Sequence, residues 1–119
     1  MKIKTNQLTG AALDWAVAKC AELPFPFAYD DYGREYAVSP STLWAQGGPI
    51  IEREEISISR EFASGRIEWA AWTPAPIRDD AEAFGYGPTP LIAAMRCYVA
   101  SKLCDQFTNE VDVPDELLK

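Results

Sequence analysis

Pro90-Leu-Ile-Ala-Ala-Met-Arg-Cys-Tyr-Val-Ala-Ser-Lys-Leu-Cys104 decides the fold, because only Arg96, Ser101 and Lys102 within it are polar. Apolar or small residues would cover nearly the whole circumference of a helix with this sequence, and such a helix lies inside a domain. Gly87-Pro88-Thr89-Pro90 supplies its start: Thr89 is a natural N-cap and Pro90 fits the first helical position. The reading runs from Thr89 to about Gln106. Arg96 is the anomaly. A guanidinium keeps its proton, so here it must reach a carboxylate, a ring of carbonyls, an aromatic face or a bound anion.

Working back along the chain, residues 8–23 read as a first helix, with Thr9 as N-cap and Leu13, Ala16, Val17 and Cys20 at helical spacing. Pro24 ends it. Trp15 and Lys19 stand four apart and share a flank, and Asp14 is placed in the first turn, where the helix dipole favours a negative charge. Met1-Lys-Ile-Lys4 alternates and reads as a short edge strand. From Pro24 to Pro49 the composition turns to Pro, Tyr, Asp, Gly and Ser, which predicts a long irregular excursion pinned by aromatic rings, with a strand at 36–39. The best strand candidates are 50–60 and 66–72. Ile56 and Ile58 alternate with Ser57 and Ser59, and Ile67, Trp69 and Ala71 alternate with Glu68 and Ala70. Ser64-Gly65 would turn one strand into the other as an antiparallel hairpin. Trp72 then faces away from Trp69. Residues 73–88 are Pro-rich and read as a second irregular segment, and Glu110-Val-Asp-Val-Pro114 adds a short strand. The fold class is therefore α+β: a small, mainly antiparallel sheet with two main helices on one face and long loops.

Composition narrows the chemistry. At 119 residues and 48% hydrophobic content the chain reads as one domain spanning residues 1–119 that buries roughly two-thirds of its unfolded surface. Neither a secretory signal nor an apolar run of about 18 residues is present, so a soluble protein of the cytoplasm is expected. Three cysteines, Cys20, Cys97 and Cys104, form no CxxC pair, and an odd number argues against a disulfide framework. The net charge of -7, from 11 basic and 18 acidic residues, repels a phosphate backbone and argues against duplex nucleic acid as a partner. The absence of histidine excludes His-based triads, HExxH zinc sites and imidazole proton shuttles. Cys20 and Cys97 sit among apolar neighbours, where a thiol stays protonated. No cofactor, metal or catalytic motif emerges, and the reading is non-enzymatic.

Four blocks carry a resemblance. Leu8-Thr-Gly-Ala-Ala-Leu-Asp-Trp-Ala-Val-Ala-Lys-Cys20, Ser41-Thr-Leu-Trp-Ala-Gln-Gly-Gly-Pro-Ile-Ile-Glu-Arg-Glu54, Gly87-Pro-Thr-Pro-Leu-Ile-Ala-Ala-Met-Arg-Cys-Tyr-Val-Ala-Ser-Lys102 and Glu110-Val-Asp-Val-Pro114 together resemble the phage NinX family, in that order. The family's usual spelling of the second block has Asp where Leu43 stands. The resemblance implies a small accessory protein of a temperate phage, carried among its non-essential nin genes and working in the cytoplasm of the infected cell. It bears on origin more than on mechanism.

Each candidate site residue has a structural alternative. Gly47-Gly48-Pro49 reads as a tight turn before a strand, or as a place where backbone approaches a ligand closely. Thr89 reads as a cap, or as part of an anion site at a helix N-terminus. Arg96 reads as one half of an ion pair with Asp14, Glu52 or Glu54, or as the charge at the edge of a pocket. Trp15 and Trp44 read as core or as stacking platforms. Glu52 and Glu54, on one face of the expected strand, read as solvated charge rather than a metal site. The sharpest combination puts Trp44 beside Gly47 and Gly48, with Trp15, Lys19, Thr89 and Arg96 completing a pocket for a flat anion such as a nucleotide. The expected function is capture of a small anionic or nucleotide-like ligand, of the counter-defence type. The alternative is a protein-interaction module using exposed aromatics from 25–45 or 72–86. The face bearing Trp72 is a candidate for self-association as a homo-oligomer.

Overall fold

The computed structural model describes residues 1–63, 65–78, 81–102 and 110–118. Its elements follow in chain order as β1 (Lys2–Lys4), a 3-10 turn (Thr5–Gln7), α1 (Gly10–Ala21), β2 (Phe27–Tyr29), β3 (Glu35–Ala37), α2 (Trp44–Arg53), β4 (Ser57–Ala63), β5 (Arg66–Arg78), β6 (Ala81–Gly87), α3 (Pro90–Lys102), β7 (Glu110–Asp112) and a 3-10 turn (Asp115–Leu118). The fold is a small α+β arrangement. Strands β4, β5 and β6 form a three-stranded antiparallel sheet in that order, and β1–β7 and β2–β3 form two separate two-stranded ribbons.

Helix α3 is the centre of the structure. Leu91, Ala93, Ala94, Met95, Cys97, Tyr98, Val99 and Ala100 are all buried in it, as its all-round apolar sequence requires. Thr89 caps it: the Ile92 amide donates to Thr89 Oγ1 at 3.1 Å and the Ala93 amide to the Thr89 carbonyl at 3.0 Å. The continuation to Gln106 lies outside the described residues. One face of the sheet lies against α3, and helices α1 and α2 pack against α3 as well. Leu8, Leu13, Ala16 and Val17 from the α1 region, Ile50 from α2, Ala71 from β5, and Val111 and Val113 near β7 join it in one core.

Close approach of α3 to β6 needs glycine. A Cβ on Gly85 would run into the carbonyl oxygen of Ala93 and the backbone of Cys97, and one on Gly87 would stand 2.8 Å from Ile92 Cγ2. The alternation of Gly85 and Gly87 with Phe84 and Tyr86 therefore leaves the inner face of β6 bare for the helix and puts both rings on the outer face. Residues 73–88, expected to be irregular, are instead mostly strand. Pro74 and Pro76 offer no amide to a ladder, and the β5–β6 register shifts between Trp72 and Pro76 and again between Pro76 and Arg78. Proline here displaces the ladder without ending the strand.

A second correction concerns residues 44–53. The expected strand from Ile50 begins only at Ser57, and Gly47, Gly48 and Pro49 lie inside α2 rather than in a turn. Intrinsic preference opposes this helix, since Gly costs about 1 kcal/mol and interior Pro about 3 kcal/mol relative to Ala. Tertiary contacts outweigh it. Ile50 is buried, Ile51 packs on the core, and a Cβ on Gly47 would lie 2.5 Å from Leu91 Cδ1 and from the Pro40 carbonyl, so α2 seats on α3 through that glycine. Gln46 adds a clamp: its Nε2 donates to the Ala37 carbonyl at 2.8 Å and its Oε1 accepts from the Ser39 amide at 2.7 Å. Asp14, buried rather than displayed in a first turn, accepts from the Ser41 amide at 2.9 Å and from Ser39 Oγ at 3.2 Å. These bonds order the segment expected to be loop, which also carries the β2–β3 hairpin.

Glu52 and Glu54 do not share a strand face. Glu54 follows α2 as its C-cap, and its carboxylate meets Lys102 Nζ at 3.1 Å and Arg53 Nε at 3.3 Å. Burial raises its pKa, but the bonds from Lys102 and Arg53 outweigh that and hold it below its ordinary 4.5.

Three stability measurements follow from this packing. Gly85→Ala drives a methyl group into helix backbone that cannot move aside, so it lowers stability by about 3 kcal/mol, whereas Gly48→Ala, with open space around it, is neutral or stabilising; paired urea melts check the contrast. Leu43, the N-cap of α2, makes no side-chain cap bond, so Leu43→Asp raises stability by about 1 kcal/mol in the same assay. Glu54→Gln removes a stabilisation of about 1 kcal/mol at neutral pH. Because the folded carboxyl is held low, wild type keeps that advantage above pH 4.5 and loses it as pH falls through the folded pKa, which melts of both proteins across that range will show.

Candidate functional site

Arg96 lies on the side of α3 facing the entry to α1 and the end of β6. Its Nε donates to the Leu8 carbonyl at 2.8 Å and its Nη1 to the Tyr86 carbonyl at 2.6 Å. Among the described residues it forms no ion pair. The three expected carboxylates are elsewhere: Asp14 holds Ser39 and Ser41, Glu54 meets Arg53 and Lys102, and Glu52 is exposed on α2. Of the partners open to a semi-buried guanidinium, this chain uses backbone carbonyls. Burial lowers the Arg96 pKa somewhat, and the negative charge of Glu68 opposes that shift. A guanidinium stays charged under either influence.

Beside Arg96 opens a cleft of about 560 Å³ lined by Asn6, Ile67, Glu68, Tyr86, Gly87 and Pro88 together with Arg96 itself. That volume falls within the range of small-molecule sites, about 300–1,000 Å³. Asn6 is fixed by accepting the Tyr86 amide at 3.0 Å through its Oδ1. The cleft thus combines a cation, a carboxylate, a carboxamide and an aromatic residue, and it can meet a ligand carrying both acceptors and N–H donors.

The other expected site residues fall into separate groups. Lys19 Nζ lies 5.1 Å from the centroid of the Trp15 ring, a cation–π contact on the flank of α1, and Trp15 also packs against the core. Trp44 is 53% exposed. It shares a hollow of about 230 Å³ with Thr89 and with Ser41, Thr42, Pro90, Leu91 and Ile92. Gly47 is sealed by Leu91 and Pro40, and Gly48 is a helical residue rather than a ligand-facing turn. The pocket expected from Trp44, Gly47, Gly48 and Arg96 is therefore not assembled. Trp44 and Thr89 come together, Trp15 and Lys19 come together, and Arg96 stands with Asn6, Glu68 and Tyr86. Sequence reasoning missed Asn6 and Glu68; the alternation that put Glu68 out of phase with Ile67 and Trp69 was the available signal.

Cys97 is buried in α3 and its thiol is pushed up to about 12 by desolvation, so it is not a nucleophile near neutral pH. Cys104 lies outside the described residues. Among the described residues no cluster of Cys, Asp and Glu is arranged to hold a metal ion, and no helix is long and apolar enough to cross a membrane.

Comparison with known proteins covers the first three of the four blocks read from the sequence, and the block at 110–114 lies beyond the matched stretch. The profile described as Bacteriophage P22, NinX matches residues 4–102, a stretch that contains α1, α2, the three-stranded sheet, α3 and every residue of the Arg96 cleft. No curated protein sequence matches the chain significantly. The matched stretch covers most of the molecule, and the chain belongs to the phage family described as Bacteriophage P22, NinX.

Proposed function

We propose that this phage protein is a non-enzymatic binder of a small nucleotide-like anion, which it captures in the cleft beside Arg96. The observation that carries the reading is the guanidinium itself: among the described residues it has no carboxylate partner, two backbone carbonyls fix its position, and it borders an open cleft. Charge already ordered and only partly neutralised binds an anion without a large reorganisation cost. Glu68 refines the chemistry. A bare inorganic anion would meet repulsion from it, whereas a nucleotide offers phosphate oxygens to Arg96 and base N–H donors to the carboxylate. Sequestration of a host nucleotide signal is the counter-defence role that such a site would serve.

A second reading, a protein-interaction module, is favoured by a different observation. The β2–β3 hairpin exposes Phe27, Tyr29 and Tyr32, at 52%, 68% and 83%, and none of the three lines the Arg96 cleft. Aromatic residues displayed in this way are enriched at protein interfaces.

A thermal-shift panel of mononucleotides, dinucleotides and cyclic nucleotides separates the two. Under the capture reading at least one of them stabilises the protein, by about 2.7 kcal/mol when present at 100 times its Kd. Arg96→Gln abolishes that response, and Glu68→Gln changes which base is preferred. A flat response to every compound from a folded wild-type protein overturns capture, and retention of a stoichiometric host protein by wild type but not by Tyr32→Ser would then establish the second reading.

A further inference from the structure

The outer face of the three-stranded sheet carries a hollow that the Arg96 cleft does not explain. Cross-strand pairing sets Ala70 opposite Tyr86 and Trp72 opposite Phe84, with Ser59 on the other side of Ala70 and Glu61 opposite Glu68. Because side chains alternate, all of these project from the face turned away from α3. Ala70, the small residue among them, forms a floor. It is only 4% exposed although it lies on the outer face, since larger side chains stand on either side of it. Phe84 and Tyr86 remain 46% and 42% exposed. Glu61, Trp72, Phe84 and Tyr86 wall a space of about 310 Å³ above Ala70.

The charge pattern identifies the occupant. Glu61 and Glu68 are direct cross-strand neighbours, a like-charge pairing that destabilises a sheet. Among the described residues neither takes part in an ion pair. Glu68 lines the cleft of Arg96 and lies within its field, while Glu61 borders the aromatic hollow, where it is the one charged side chain among the described residues of the lining. Three aromatic residues and one carboxylate line this small hollow, and aromatic rings, whose faces are negative at the centre, together with a carboxylate are the groups that bind an alkylated ammonium. An anion would be repelled there, and a net charge of -7 draws cations toward the surface at long range.

We propose that the hollow formed by Glu61, Ala70, Trp72, Phe84 and Tyr86 is a binding site for a small organic cation bearing a quaternary ammonium head. The rings envelop the methyl groups and Glu61 supplies the counter-charge. The site is separate from the Arg96 cleft except for Tyr86, which borders both, so it stands or falls independently of nucleotide capture.

Titration with choline and with its neutral isostere 3,3-dimethylbutan-1-ol, followed by tryptophan fluorescence and calorimetry, tests the assignment. Choline binds saturably and the isostere binds about tenfold more weakly or not at all. Trp72→Leu and Phe84→Leu each abolish binding with their melting curves retained, and Glu61→Gln weakens it several-fold and flattens its salt dependence. Trimethyl-lysine, free and within a short peptide, is titrated in parallel; equal affinity in the two forms shows that the head group alone is recognised. Equal binding of choline and the isostere overturns the proposal and makes the hollow a plain apolar patch. No binding of any cation to the folded protein also overturns it, as does choline binding unaffected by Trp72→Leu and Phe84→Leu. A Trp72→Leu variant that changes the sedimentation coefficient without changing choline binding assigns the face to a second copy of the chain.

Discussion

The near-contact of the α3 backbone with β6 at Gly85 is the constraint on which the rest of the structure depends. Only a residue without a side chain lets the helix come this close, and that proximity places Arg96 within reach of the Tyr86 carbonyl and, through the same side chain, of Leu8 at the entry to α1. One side chain thereby joins the central helix, the last sheet strand and the first helix. The dense packing typical of protein interiors is achieved on one side of the sheet by removing side chains from β6. The rings those positions lack appear on the opposite side, at Phe84 and Tyr86.

Polar bonds organise the middle of the chain in a different way. Val38 and Pro40 are buried in residues 37–46, and the path of the backbone between them is held by Asp14 and Gln46, which engage it at Ala37, Ser39 and Ser41. A carboxylate and a carboxamide that accept and donate to backbone replace the ladder bonds that a regular element would supply. Among the described residues no buried side-chain nitrogen or oxygen lacks a partner, in keeping with the large penalty for leaving one unmet.

The parts of this architecture legible in the sequence were those where local and tertiary preferences agree. The apolar circumference of 90–104 announced a buried helix and Thr89 its cap, and the alternation around Ile58 and Trp69 announced a hairpin with Trp72 on the far side. Legibility failed where tertiary contact overrides propensity. Gly47-Gly48-Pro49 is a poor helix sequence that is helical because Gly47 fits against Leu91 and Ile50 is buried. Pro74 and Pro76 looked like breakers but only shift a register. The site failed for a different reason: the partners of Arg96 are backbone carbonyls, which have no sequence signature, and Asn6 arrives from the far end of the chain. Its predicted companions Trp44, Gly47 and Gly48 are neighbours in sequence to each other but not in space to Arg96.

The bonds at Tyr86 have one more consequence. Its amide and carbonyl point outward from the sheet, away from β5, and Asn6 and Arg96 occupy both. An uncovered edge strand offers a template on which a foreign strand can zip, the usual route from a small sheet to amyloid-like stacking. Here a carboxamide and a guanidinium plug that template at the rim of β6. The opposite edge of the sheet is β4, where Arg60 and Glu61 set charge in the middle of the strand.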